Sequence, residues 1–415
     1  TTMEREVLRL DNLAMAMAVH NAGGLVIMQV ERLAEQGTLE PRRVEIPGIL
    51  VDAVVLAEPE HHRQTYATVY NPYFAHEVRQ PLDSLPPLPL DERKIIARRV
   101  AFELPMNGVV NLGIGMPEGV AQVAAEERVI QHVTLTAEPG VIGGVPASGL
   151  DFGAAVNVDA LIQQNQQFDF YDGGGLDLAC LGLAEADAEG NVNVSRFGPK
   201  LAGAGGFINI SQNARRLVFA GTFTAGGLAV AVEGGQLRVL CEGRQPKFVA
   251  AVQQVTFSGA YAARRGQHVL YVTERCVFRL TPDGLELIEV APGIDPERDI
   301  LALMPVRPLL RQPAAMDATI FRDEPMGLAE RLLRLSLDER ISYDSERKVM
   351  FLNFEGLQVR SAEDVGRIQA AVEARCREIG HRIGVVVNYD GFRLDEAVAD
   401  RYAAMVRYMV DRYYT

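Results

Sequence analysis

Thr134-Leu135-Thr136-Ala137-Glu138-Pro139-Gly140-Val141-Ile142-Gly143-Gly144-Val145-Pro146 opens as a strand and breaks abruptly into a tight, glycine-rich loop. Threonine and leucine suit an extended, half-buried backbone, and Pro139 with the glycines ends it. Glu138 is the last residue before the break, in company too apolar to favour an acid. Glycines beside it would let another molecule's atoms come close. A carboxylate in a partly desolvated place is either paired or chemically used. Two structural roles stay open on the residues alone: a solvated strand-end acid, or half of a buried ion pair with an arginine.

Outward from this stretch, strands and helices alternate, the pattern of an α/β fold. Val109-Val110-Asn111-Leu112 is expected as a strand, Gly113 to Pro117 as a turn, and Glu118 to Glu127 as a helix. Further strands are expected at Leu217–Ala220, Phe248–Val252 and Val269–Val272, with a hairpin pairing Val277–Leu280 and Leu285–Val290 through Pro282-Asp283-Gly284. Upstream, a helix is expected over 7–22 and strands over 25–30 and 49–56. The prolines at 81, 86, 87 and 89 then mark a linker over residues 81–90. Asp91-Glu92-Arg93-Lys94 begins a helix that runs to about Leu104. Near the end, Lys348–Phe354 and Ile383–Asn388 read as strands. Between them Ser361 and Asp364 form a capping box for a helix with Val365, Ile368, Val372 and Cys376 on one face.

Three glycine-rich loops stand next to strands: Gly113-Ile114-Gly115-Met116-Pro117, the loop holding Gly140, Gly143 and Gly144, and Gly203-Ala204-Gly205-Gly206-Phe207. The first is not a dinucleotide fingerprint, because the third glycine of G-x-G-x-x-G would fall on Glu118. A simple turn accounts for each loop taken singly. Three together, one with a carboxylate at its edge, point to a site whose backbone N–H groups hold an oxyanion. Other candidates carry less. The seven histidines form no H-x-x-H or H-x-x-x-H pair, so no metal site is expected. No G-x-S-x-G occurs, and Asp169-Phe170-Tyr171-Asp172-Gly173-Gly174-Gly175 reads as an acidic surface turn.

Composition narrows the class. The 415 residues are 48% hydrophobic and 23% charged, as in globular proteins large enough for two or three domains. A net charge of −13 argues against general nucleic-acid binding. Cys180, Cys241, Cys276 and Cys376 are scattered without a C-x-x-C pair, which fits a reducing, cytoplasmic setting. No apolar run reaches the roughly 18 residues of a membrane span, so no membrane association is expected. Both ends read as cut, so the chain is expected to be part of a longer polypeptide.

Val110-Asn111-Leu112-Gly113-Ile114-Gly115-Met116-Pro117, the E-x-G element Glu138-Pro139-Gly140, and Gly203-Ala204-Gly205-Gly206-Phe207 occur in the order and approximate spacing found in family I CoA-transferases. Over roughly residues 3–318 the chain resembles the single-chain acetate/propionate/3-oxoacid type, in which two homologous α/β halves are fused. The resemblance implies open, mostly parallel sheets with flanking helices, the NagB-RpiA-like arrangement; the small C-terminal βαβ module, read from its own strands and helix, lies beyond the family's usual end. The resemblance also implies that residues 1–80 are the end of the first half and that 91–318 are the second half. A connector over 319–340 and a module over 341–415 would follow.

For the site, the resemblance implies Glu138 as the nucleophile, and Gly140, Gly205 and Gly206 as the oxyanion and CoA loop. Asn111, Gly113, Gly115 and Gly203 would help to hold CoA. Coenzyme A would be a substrate, with no permanently bound cofactor and no metal. The partners implied are acyl-CoA, a short carboxylate, a missing N-terminal half or partner chain, and a second copy in a homo-oligomer. Many members read S-E-N-G where this chain has Ala137-Glu138-Pro139-Gly140, a change that favours short monocarboxylates. An acyl-CoA hydrolase on the same fold, or an effector-binding regulator, are the alternative functions.

Overall fold

The computed structural model describes residues 1–81, 87–332, 337–390 and 392–415, in two units, Thr1–Leu328 and Ala329–Thr415. Half of the proline-rich stretch expected as a linker, residues 82–86, lies outside the described residues.

The first unit opens with helix α1 (Asn12–Asn21) and strands β1 (Ile27–Val30) and β2 (Ala53–Leu56), which pair in parallel. These elements are shorter than expected from sequence. Leu10 takes a positive φ of 51°, which a helix cannot contain. Pro47 starts a 3₁₀ turn at Gly48–Leu50, so the strand begins only at Ala53.

Helix α2 (Glu92–Ala101) follows, its N-terminus capped by the Asp91 side chain, which accepts from the Lys94 N–H. Next come β3 (Val109–Leu112), α3 (Glu118–Glu126), β4 (Thr134–Ala137), β5 (Val141–Ile142) and β6 (Ala160–Leu161). Helix α4 (Gln164–Asp172), β7 (Leu178–Gly182), α5 (Phe207–Asn213), β8 (Arg216–Ala220) and β9 (His268–Val272) continue the alternation. Strands β10 (Cys276–Thr281), β11 (Gly284–Val290) and β12 (Leu309–Ala315) complete a ten-stranded sheet of order β12-β11-β10-β9-β8-β7-β3-β4-β5-β6. Its middle, β9-β8-β7-β3-β4, is parallel, and antiparallel strands extend it on both sides. The sheet is mostly parallel, as expected.

Buried on both faces, β7 and β8 are continuous apolar runs, the composition that parallel pairing requires. Phe219 of β8 packs edge-on to Phe257 at 5.0 Å and against Tyr271 at 5.2 Å, in the centre of the core. The hairpin of β10 and β11 closes where expected, with Thr281 opposite Gly284.

Two expectations are corrected. Phe248–Val252 is not a strand: Phe248 makes one isolated bridge to Ala186 and otherwise fills the core against Phe223 and Phe278. The rest of the run is a partly exposed loop, with Ala250 and Ala251 at the surface. Asp169–Asp172 lies at the surface as expected but is the last turn of α4, and the glycines that follow close it, Gly173 N–H donating to Asp169 O and Gly175 N–H to Phe170 O.

Beyond β9, Glu274 and Arg275 are both fully buried. The guanidinium meets Glu274 at 2.6 Å and Glu242 at 2.8 Å, and stacks over Phe223 at 4.8 Å. The second Glu274 oxygen accepts from the Phe223 N–H at 2.9 Å. Each charge is therefore matched inside the fold.

The second unit has its own core. Strands β13 (Ile341–Asp344), β14 (Val349–Asn353) and β15 (Gly384–Asn388) form a sheet of that order, with β14 and β15 parallel across helix α6 (Ala362–Ile379). Ser361 and Asp364 form the capping box, and Val365, Ile368, Val372 and Cys376 face inward. A further helix, α7 (Ala399–Tyr413), adds Tyr402, Met405 and Met409 to that core.

Removing the buried cation tests the charge cluster. Arg275→Ala strands Glu274 in the core and is expected to lower the unfolding free energy by about 3–5 kcal/mol. Urea denaturation measures this, and a loss within experimental error would show that the pair does not hold the end of β9.

Candidate active site

Parallel strands send their carboxyl ends to one edge of the sheet. The loops leaving β3, β4, β7, β8 and β9 therefore gather there. Strand β4 lies on one side of β3, while β7, β8 and β9 lie on the other. The direction of winding reverses between β3 and β7, and such a reversal opens a crevice at the carboxyl edge. Gly113 borders it. Its N–H donates to Cys180 O at 2.8 Å, and a β-carbon at this position would come within 3.2 Å of the Leu181 side chain. Gly115, with φ +87°, turns the chain into α3, and its carbonyl accepts from Arg93, which also pairs with Glu118 at 3.1 Å.

Glu138 stands at the end of β4, half-buried, just beyond the buried Ala137. The turn that follows is closed by backbone alone. Gly140 N–H donates to Ala137 O at 3.1 Å, and Ile162 N–H donates to Gly140 O at 2.9 Å. A β-carbon on Gly140 would stand 2.0 Å from Ile162 O, and φ is +109°, so no other residue fits. This glycine shapes the turn.

The third glycine loop comes to Glu138 from across the crevice. A β-carbon on Gly206 would lie 3.0 Å from Glu138 Oε2, 3.1 Å from its Cδ and 2.7 Å from the ring of Phe168. Gly206 is thus the residue whose missing side chain leaves room for the carboxylate. Gly203 (φ +84°) and Gly205 (φ +52°) curve the loop ahead of it, with open space where their side chains would be. Of the three loops, the structure brings this one into direct apposition with the acid.

Burial pushes the Glu138 carboxyl above the usual carboxylate range, and no neighbouring donor or cation among the described residues pulls it back. Neither open structural role suits this: Glu138 is not freely solvated and not half of an ion pair. A desolvated, unpaired carboxylate facing open glycine backbone is more basic and more nucleophilic than one in water.

Asn111 is placed differently from expectation. It is 1% exposed, and its amide donates to Thr136 O and to the Tyr171 hydroxyl, both at 3.3 Å. Tyr171 in turn donates to Thr136 Oγ1 at 3.0 Å. On a strand, successive side chains alternate faces, and this one points into the core. Asn111 thereby supports β4 from within the core. Sequence reading missed the network, although Thr136, two residues before Glu138 on the same strand, was its one local sign. Among the described residues no cluster of His, Cys, Asp and Glu could hold a metal ion, and no helix is long and apolar enough to cross a membrane.

A cleft of about 420 Å³ lies at the opposite, amino edge, lined by Pro105, Gly108, Asp177, Arg215 and Arg216 among others. Its arginines are engaged, Arg215 with Asp177 at 3.0 Å and Arg216 with the Glu103 carbonyl at 2.9 Å. It holds none of the expected site residues.

The raised Glu138 pKa has a signed consequence. Ionisation favours the unfolded chain, so the contribution of Glu138 to stability is full below its unfolded value of about 4.3 and is lost as pH rises through the folded value. Glu138→Gln is expected to match the wild type in acid and to unfold at a higher temperature near pH 7. Melting curves across that range check it, and a variant less stable at neutral pH would show a hidden partner for the carboxylate.

No protein-family model matches the chain. Among curated proteins it is 47% identical over 334 residues to the caffeate CoA-transferase of Acetobacterium woodii, covering 79% of this chain and 64% of that protein. It is 30% identical over 217 residues to the acetate CoA-transferase subunit beta of Escherichia coli strain K12, covering 50% of this chain and 88% of that subunit. Among solved structures, the acyl-CoA transferase YdiF of Escherichia coli O157:H7, in a thioester complex with CoA, matches with a TM-score of 0.73 at 42% identity. That match covers 79% of this chain and 61% of YdiF. The chain thus spans less than two thirds of the length of the caffeate enzyme and of YdiF. A glutamate desolvated at a strand end, a glycine loop pressed against it, and this degree of identity together show that the chain belongs to the family I CoA-transferases.

Proposed function

We propose that the chain carries the nucleophile-bearing part of an enzyme that moves CoA between an acyl-CoA and a carboxylic acid, with Glu138 as the nucleophile. The observation that carries this reading is the unpaired, desolvated Glu138 carboxylate, with Gly206 against its oxygen. The YdiF structure is a thioester complex with CoA, which supports a covalent route.

In the first step a Glu138 oxygen attacks the thioester carbonyl; the C–S bond breaks, giving an acyl-glutamyl anhydride and CoA thiolate. The thiolate then attacks the glutamyl carbonyl, the anhydride C–O bond breaks, and the donor acid leaves as its carboxylate. A glutamyl-CoA thioester remains. The acceptor carboxylate repeats the two steps in reverse and departs as acyl-CoA, regenerating Glu138. This is ping-pong covalent catalysis.

A carboxylate is a weak nucleophile in water, so removal of water from the site is part of the mechanism. Each step passes through a tetrahedral oxyanion. Backbone N–H groups of the Gly205-Gly206 segment, which lies against Glu138, would donate to that oxyanion, and one such donor is worth about 3 kcal/mol in enzymes. Gly113 and Gly115 border the crevice in which the CoA arm would lie. The acid is a monocarboxylate, short on the reading of the Ala137-Glu138-Pro139-Gly140 turn. The relatives are named for acids as different as caffeate and acetate. Another CoA-transferase half, on the same polypeptide or a partner chain, would complete the site. The greater length of the relatives and the wholly exposed β2 support that.

Mass spectrometry after incubation with acetyl-CoA is expected to show a CoA adduct on the peptide carrying Glu138. Glu138→Ala should abolish both adduct and transfer. Glu138→Asp withdraws the carboxylate by one methylene and should slow transfer on the order of 100-fold. An adduct on another peptide would falsify the assignment. CoA release at full rate without an acceptor acid would identify a hydrolase instead.

A further inference from the structure

Along the carboxyl edge, away from Glu138, one more side chain is set as a ligand contact. Lys247 follows the short strand Gln245–Pro246, and its ammonium reaches to where β7 and β8 end. Nζ donates to the Leu183 carbonyl at 3.0 Å and lies 3.0 Å from the place a β-carbon on Gly221 would occupy. Leu183 and Gly221 are the first residues beyond those two strands, and Leu183 N–H ties them together by donating to Ala220 O at 3.1 Å. With Gly113 and Gly182, Gly221 gives this stretch of the edge a floor of bare backbone.

An ammonium carries three donors, and the Leu183 carbonyl takes one. The acid that acts on Lys247 is Glu274, whose carboxylate is already held by Arg275 and by the Phe223 N–H. Burial pushes the lysine below its usual range. A half-buried cation with one neutral acceptor costs stability, whereas Arg275, a few residues away in space, is matched on every side. A mismatched charge at an open strand edge is the kind of group that meets a ligand.

We propose that Lys247 binds the carrier arm of the acyl-CoA substrate, its remaining N–H donors meeting an oxygen acceptor of CoA, either a pantetheine amide carbonyl or a diphosphate oxygen. The proposal rests on the CoA-transferase reading above. Neighbouring strands are about 4.8 Å apart, so the boundary of β7 and β8 lies roughly 12 Å along the edge from the end of β4. That is too far to touch the reacting carbonyl and suits a contact on the extended arm. Lys247 therefore contributes binding energy remote from the chemistry.

The test compares the wild-type chain with Lys247→Met, using CoA binding by calorimetry and steady-state transfer from three acetyl thioesters. Lys247→Met should weaken CoA binding and raise KM for acetyl-CoA about tenfold, with kcat within about twofold. Its melting temperature should equal or exceed that of the wild type, because the uncompensated charge is gone. With the N-acetylcysteamine thioester, which keeps of the arm only the amide next to the sulfur, too near the reacting carbonyl to reach Lys247, the two proteins should behave alike. Acetyl-pantetheine separates the sources: a difference that persists there assigns the amide, and one that vanishes assigns the diphosphate. Equal CoA affinity in the two proteins, or an equal loss on the N-acetylcysteamine thioester, overturns the role of Lys247. If the wild type forms the Glu138 adduct while Lys247→Met binds CoA normally, only this inference fails. If the wild type neither binds CoA nor forms the adduct, the reading beneath it fails too.

Discussion

Burial takes solvation from the Glu138 carboxylate, which stands against the backbone of Gly206, and much of the surrounding structure answers to that loss. A carboxylate loses solvation free energy when it is half-buried, and here no cation or donor replaces what is lost. Such a group stays in place only if neighbouring elements are stable enough to hold it. The ten-stranded sheet supplies that stability, with a core of close-packed rings at Phe219, Phe257 and Tyr271. The buried Asn111–Tyr171–Thr136 network stiffens the strand that ends at Glu138.

The edge of the sheet treats its charges in two ways. At the end of β9, Arg275 meets two carboxylates, a carbonyl and a ring, so its burial is compensated. Glu138 at the end of β4 and Lys247 near the ends of β7 and β8 are not compensated. The contrast separates structure from chemistry. Matched charges lock a strand end, and unmatched ones retain interaction energy for an incoming molecule.

Elements with a strong local signature were readable from the amino acids. The capping box at Ser361 and Asp364, the inward stripe from Val365 to Cys376, and the β10–β11 hairpin carry their signals within a few residues. Glu138 was readable because an acid among glycines and aliphatics is conspicuous. Strand β7 escaped notice although it is central: buried on both faces, Leu178–Gly182 has no polar alternation to mark it. Phe248–Val252 misled for the converse reason, since a short apolar run also fits a loop anchored by one buried ring, here Phe248. The direction of the Asn111 side chain depends on strand pairing, which no local pattern encodes. Lys247 has no local sign at all, because its neighbours Leu183 and Gly221 are distant in sequence.

The turn after Glu138 has a consequence for how such a site can diversify. Gly140 is held against the Ile162 carbonyl by main chain on both sides, and it leaves no room for a β-carbon. Glu138, the proposed nucleophile, is therefore placed by atoms that every amino acid shares, save at that one glycine. Residues around the carboxylate can change in size and polarity without disturbing its placement. A catalytic group anchored through backbone alone lets selection on the choice of acid proceed separately from selection on reactivity, so a single chemical step can be inherited unchanged by enzymes that differ in diet.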